Sequence, residues 1–152
     1  MDTDREPPPA SGGSETPRAR IDRLVAEGKI TREAVAKAEQ IWQDQLQGGI
    51  AMPSGEVVPI ALDDVYHVIA DPRILRKPER IALILMHVFE IREARWGMRR
   101  ALARWQEENR TLAGYAIIST ENTLKTAHVI DEAELRRIQR KEQLVWQLSG
   151  PQ

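Results

Sequence analysis

The chain has 152 residues, 41% of them apolar and 30% charged, enough for one domain of ordinary size with appendages. Lys and Arg total 22 against 23 Asp and Glu, a net charge of -1, which excludes a uniformly basic nucleic-acid coat and shifts attention to how charge is distributed. The absence of cysteine excludes a disulfide scaffold, a thiolate metal site and a cysteine nucleophile.

No apolar run approaches the roughly 18 residues that span a bilayer, and the acidic residues 1–4 are unlike a secretory leader, so a soluble, cytoplasmic protein with no membrane partner is expected. Residues 1–18 carry Pro7, Pro8, Pro9 and Pro17, a Ser/Gly run at 11–14 and no large apolar side chain beyond Met1. Such a segment buries too little to offset its ordering entropy and is expected to be a disordered tail.

A helical hairpin is expected at 19–48. Ile21, Leu24 and Val25 recur at helical spacing and Gly28 stops the first helix; Thr31 caps a second, whose stripe of Ala34, Val35, Ala38, Ile41, Trp42 and Leu46 ends at Gly48-Gly49. With one apolar stripe each, these helices need a partner surface, either the following domain or another protein chain. Residues 49–60, with Pro53, Gly55 and Pro59, read as a linker containing an extended stretch at Val57-Val58.

The core domain is expected at 61–148. A helix over 61–70 ends at Asp71-Pro72. A second opens with Pro78 as its first helical residue and carries Ile81, Ile84, Leu85 and Val88. The period then shifts to two, in runs 89–95, 99–106, 112–119 and 124–130 separated by turn-like breaks at 96–97, 107–110 and 121–123. Short connections make antiparallel neighbours, hence a four-stranded meander. Residues 99–106 contain good helix formers, and the regular turn spacing decides for a strand. A final helix over 132–148, capped by Asp131 and stopped at 149–151, completes an α+β fold: N-terminal helices, a four-stranded antiparallel meander and a C-terminal helix.

Charge is polarised along the chain. Between Arg73 and Arg104 nine basic residues face three acidic ones, whereas the first 72 residues hold seven basic and thirteen acidic. If Arg92, Arg95, Arg99, Arg100 and Arg104 share a surface, they form an Arg-rich phosphate-binding patch suited to RNA. As exposed arginines, Arg100 and Arg104 would contribute little to folding. The competing reading is a solvated surface that keeps edge strands from pairing.

Of the histidines, His67 and His87 fall off the apolar stripes of their helices, while His128 shares a strand face with Leu124, Thr126 and Ile130. A histidine near neutral pKa beside arginines supplies what metal-free RNA cleavage needs, a base for the 2′-hydroxyl and cations for the phosphorane; Tyr115 on the neighbouring strand adds a proton donor. The acidic pairs Asp63-Asp64 and Asp131-Glu132 are explained by helix starts, so no metal site and no cofactor are expected. The four tryptophans suit packing, with Trp96 and Trp105, beside Arg95 and Arg104, as candidates for stacking.

The order of a helix pair with Lys77-Pro78-Glu79-Arg80-Ile81 opening its second helix, followed by Val88-Phe89-Glu90-Ile91 entering a four-stranded meander, resembles the BECR nuclease superfamily (barnase, EndoU, colicin and RelE-like), particularly its phage-associated branches. The resemblance covers residues 62–130 and is one of layout. It implies an RNA-directed, metal-free nuclease or toxin domain with its active face on the sheet, and points to Arg100, Arg104, Tyr115 and His128, with His67 as a helix-borne candidate. Two functions are therefore expected in competition: a small RNA-binding protein with ribonuclease activity, or a non-enzymatic protein interaction module using the hairpin as its contact element.

Overall fold

Thr16 opens the first helix, α1 (Pro17–Ala26): its hydroxyl accepts the Ala19 N–H at 3.0 Å, and Pro17 sits at the first helical position, where its missing N–H is not needed. The computed structural model describes residues 15–71, 75 and 77–149. Residues 15–18 of the expected tail are thus ordered, because they cap α1 and because Glu15 pairs with Arg23. Residues 1–14, Arg73 and Arg76 of the basic stretch, and the expected stop at Gly150-Pro151 lie outside the described residues.

At the other end of α1, Gly28 adopts φ 75°, and the Lys29 N–H reaches the Leu24 carbonyl at 2.9 Å, a helix stop that favours glycine. α2 (Arg32–Ile41) is capped by the Thr31 hydroxyl, which accepts the Ala34 N–H at 3.0 Å. It runs into a wider π turn over Trp42–Leu46. There the Trp42 indole N–H donates to the Ile60 carbonyl at 2.8 Å.

Most of both stripes is covered by the chain itself, Ala34 remaining exposed. Ile21 and Val35 bury against Tyr66 of α3 (Leu62–Ala70), and Ala38, Ile41 and Leu46 enter the main core. The Tyr66 hydroxyl donates to Glu39 at 2.6 Å and accepts from Arg18 at 3.0 Å, so one buried phenol ties the three helices together.

Residues 49–60, read from sequence as a linker, pair and pack instead. β1 (Ile50–Ala51) and β2 (Val57–Val58) form an antiparallel hairpin, and Ile50, Met52, Val58 and Ile60 are buried. The apolar residues between the prolines and glycines are what hold it down.

α4 (Arg80–Met86) begins two residues after Pro78. Pro78 lies in a preceding turn, where the Ile81 N–H bonds the Pro78 carbonyl at 3.0 Å. The meander follows as β3 (Val88–Glu93), β4 (Arg99–Glu107), β5 (Arg110–Ile118) and β6 (Leu124–Ile130), each paired antiparallel with its sequence neighbour. Glu108 and Asn109, both at positive φ, make the two-residue turn between β4 and β5 that suits the strand twist.

The final helix is shorter than its composition suggests. α5 (Glu132–Lys141) is capped by Asp131 as expected, but residues 144–147 leave it to form β7 (Leu144–Gln147). The sheet order is β6-β5-β4-β3-β7, five antiparallel strands. The Arg92 guanidinium stops α5 by donating to the Gln139 and Glu142 carbonyls at 3.0 and 2.8 Å, and Trp146 then packs on the main core. Pairing the outer edge of β3 outweighs about two more helical turns.

The sheet separates two cores. On one face Ile91, Ala101, Ala103, Trp105, Ala116 and Ile118 meet the N-terminal helices. On the other, Leu102 and Ala113 with Phe89, Tyr115 and Ile130 are covered by Leu135 and Ile138 of α5. β5 is therefore buried on both sides, as its unbroken apolar run requires. Among the described residues no helix is long and apolar enough to cross a membrane.

Candidate active site

The face beneath α5 brings three of the sequence candidates together. Register places Tyr115 of β5 directly opposite His128 of β6, and their rings lie 5.0 Å apart at a tilt of 34°. From β4 the Arg100 guanidinium lies 4.5 Å from the Tyr115 ring centroid, so cation, phenol and imidazole form one row across three strands. The Thr126 hydroxyl stands 3.3 Å from His128 Nε2.

The alternation on β6 differs from the expected one at its start. A bulge passes over Lys125, so that Leu124 pairs with Ile118 and turns into the main core while Thr126 and His128 stay on the α5 face. An inserted residue reverses the facing of everything on one side of it.

Burial holds the His128 pKa below its ordinary value, and the Arg100 charge pushes in the same direction against a smaller opposing effect of Asp71. Its imidazole is therefore neutral at neutral pH and able to accept a proton. Burial also raises the Tyr115 phenol, with Arg100 opposing, so it keeps its proton to donate. A neutral base, a phenol and a guanidinium in sequence are the parts of a general acid–base site.

Arg100 has a partner that residue spacing does not reveal. Glu142, just beyond α5, accepts from its Nε and Nη2 at 2.8 Å each, and both side chains are only 18% exposed. Arg100 is thus no exposed arginine. Replacing it by Gln strands a mostly buried carboxylate, so Arg100→Gln should lower stability by about 2–3 kcal/mol, somewhat below the roughly 3–5 of a fully buried broken pair. The double variant with Glu142→Gln should recover most of that loss in urea denaturation. In both variants the His128 pKa, followed by NMR, should rise as the neighbouring charge disappears.

The other arginines do not form a continuous patch. Arg104 pairs with Glu132 at 3.0 Å through both nitrogens and lies over Phe89. Arg92 holds Glu90 at 3.0 Å besides the two helix carbonyls. Arg99 points to the opposite face, where Glu56 and Asn122 accept from it. Arg95 lies in the connection from β3 to β4. Carboxylates from 43, 28 and 42 residues away engage Arg99, Arg104 and Arg100, which is why a count within one stretch overstates the free positive charge.

His67 is not brought to this site. It sits exposed on α3 and lines a small cleft with Asp64, Asp71, Lys125 and Thr126 between α3 and the edge strand β6. His87 ends α4 with its ring against the Leu83 carbonyl at 2.8 Å. Trp105 is buried, its indole N–H on Glu107 at 2.9 Å, which removes it as a stacking surface. Among the described residues no three His, Asp or Glu side chains are grouped to hold a metal ion. No family model, curated protein or solved structure matches the chain.

Proposed function

We propose that this protein is a metal-free ribonuclease whose chemistry is carried by His128, Tyr115 and Arg100. The observation behind this reading is the row itself: an imidazole, a phenol and a guanidinium aligned on one sheet face. His128 takes the proton of a 2′-hydroxyl, whose oxygen attacks the adjacent phosphorus. Arg100, whose charge Glu142 already pairs, donates a remaining N–H to the pentacoordinate phosphorane, and Tyr115 protonates the departing 5′-oxygen. The products are a 2′,3′-cyclic phosphate and a 5′-hydroxyl, with every proton accounted for. Arg104, farther along the same face and paired with Glu132, assists at most in holding the backbone. The rival reading, an interaction module docking through the hairpin, has less apolar surface to use than its stripes suggest, because Ile21, Val35, Ala38, Ile41 and Leu46 are buried against α3 and the core and Ala34 is the member of the second stripe left exposed.

The test is incubation of purified protein with total RNA in the presence of a chelator. Cleavage leaving cyclic phosphate ends is expected, with His128→Ala slower by about 10²–10⁴-fold. The acid limb of the rate profile should lie below the ordinary histidine value of 6.5, because a lowered pKa keeps the base unprotonated as pH falls. Intact RNA, or a His128→Ala protein as active as the native one, refutes the reading.

A further inference from the structure

Trp96 lies in the tight connection between β3 and β4, with its backbone at φ 58° and ψ 33°. Gly97 follows at φ 73°, and the Met98 N–H closes the turn on the Arg95 carbonyl at 3.0 Å. Two successive residues of positive φ mark the hairpin turn whose first central position favours Asn, Asp or Gly. A bulky side chain there is strained.

Such strain is ordinarily offset by packing, and here it is not: Trp96 is 60% exposed, the most exposed large apolar residue among those described. The loop cannot relax easily. The Ala94 N–H bonds the Met98 carbonyl at 2.8 Å, and a side chain at Gly97 would press on Thr120 of the neighbouring turn. The chain therefore holds a large flat ring in solvent at a position where Asn would be easier to accommodate. What the ring contributes to the fold does not explain it.

We infer that Trp96 is a stacking platform for an unpaired base of single-stranded RNA. Arg95 precedes it, Ala94 and Met98 are half-buried in the turn, and Thr120 lies across from Gly97, so the turn presents a single large exposed ring beside a cationic residue. That suits the π-face of a base better than an apolar protein surface. β4 starts at Arg99, and Arg100 stands four residues from Trp96. At about 3.3 Å per residue of strand the ring is within roughly 15 Å of the row described above. The choice of RNA rests on the ribonuclease reading.

The experiment measures binding apart from cleavage, using a fluorescein-labelled 2′-O-methyl oligoribonucleotide, which cannot form a cyclic phosphate. The native protein should bind it. Trp96→Asn should bind roughly ten-fold more weakly, the usual loss for one stacked base, while melting no lower than the native protein because the turn is relieved. Trp96→Phe should stay within about three-fold of native binding. Loss of RNA cleavage with Trp96-dependent binding intact refutes the nuclease and supports the platform. Native-like binding by Trp96→Asn overturns the platform and leaves the ring as a contact for another protein, and so does an absence of binding by the native chain.

Discussion

Replacing Glu107 by Ala should lower stability by about 3–5 kcal/mol, the loss typical of a buried cation deprived of its partner. Arg80 is that cation: at 7% exposure it is the one charged residue buried among those described. Its Nε and Nη2 donate to Glu107 at 3.0 and 2.8 Å, and its Nη1 donates to the Leu75 carbonyl at 3.1 Å. The Trp105 indole completes the carboxylate's set. The Arg80 hydrogen bond foremost, then Trp105 and the charges of Arg80 and Lys77, hold the Glu107 carboxyl down at about 2.

Because this pKa is depressed, the stabilisation is complete above the ordinary glutamate value of 4.5 and fades as pH falls toward about 2. The difference corresponds to about 3 kcal/mol at 1.36 kcal/mol per unit. Guanidinium denaturation at pH 7 and pH 3 should show a steeper acid loss for the native protein than for Glu107→Gln. A Glu107→Ala protein within 1 kcal/mol of native at pH 7 refutes the assignment.

Gly114→Ala should be the most damaging single methyl in the sheet. Gly114 pairs with Ala103 on one side and Val129 on the other, and a Cβ there would stand 2.5 Å from the His128 carbonyl oxygen, 3.1 Å from the Trp105 ring and 3.2 Å from Ile84. Backbone cannot turn aside as a side chain can, so β6 must move bodily, and overpacking of this kind costs about 3 kcal/mol. The displaced segment carries His128. A loss of several degrees in melting temperature is expected, together with loss of the RNA cleavage proposed above; a variant that melts with the native protein would show that β6 yields freely.

Much of this arrangement is legible in residue order. Thr31 and Asp131 cap the helices that follow them, and Glu108-Asn109 turns where expected. The helix-prone run from Arg99 is nonetheless a strand, because its alternation gives each face of the sheet what it buries. Thr16-Pro17 carries a helix-start signal that the surrounding prolines and glycines obscure. The end of α5 had no local signal, since it is set by Arg92, some 50 residues earlier. The same holds for the site: sequence places Tyr115 on the strand next to that of His128, but their register and the ion pair of Arg100 with Glu142 depend on how distant segments meet. Local pattern reports periodicity and caps; it does not report which distant carboxylate a guanidinium meets.

The position of β7 shapes how the protein acquires its structure during synthesis. β3, β4, β5 and β6 are neighbours in sequence as well as in the sheet and can pair in the order they are made, whereas the outer side of β3 is paired by β7, which follows more than 50 residues later. Until then a run of Val88-Phe89-Glu90-Ile91 offers unpaired N–H and C=O groups to any neighbouring chain. Nascent or truncated molecules lacking 144–147 are thus the aggregation-prone species. The wait also delays the site, because Glu142 meets Arg100 only as this closing segment docks. Refolding should accordingly show a late phase, slowed by the long loop that β7 must close on β3.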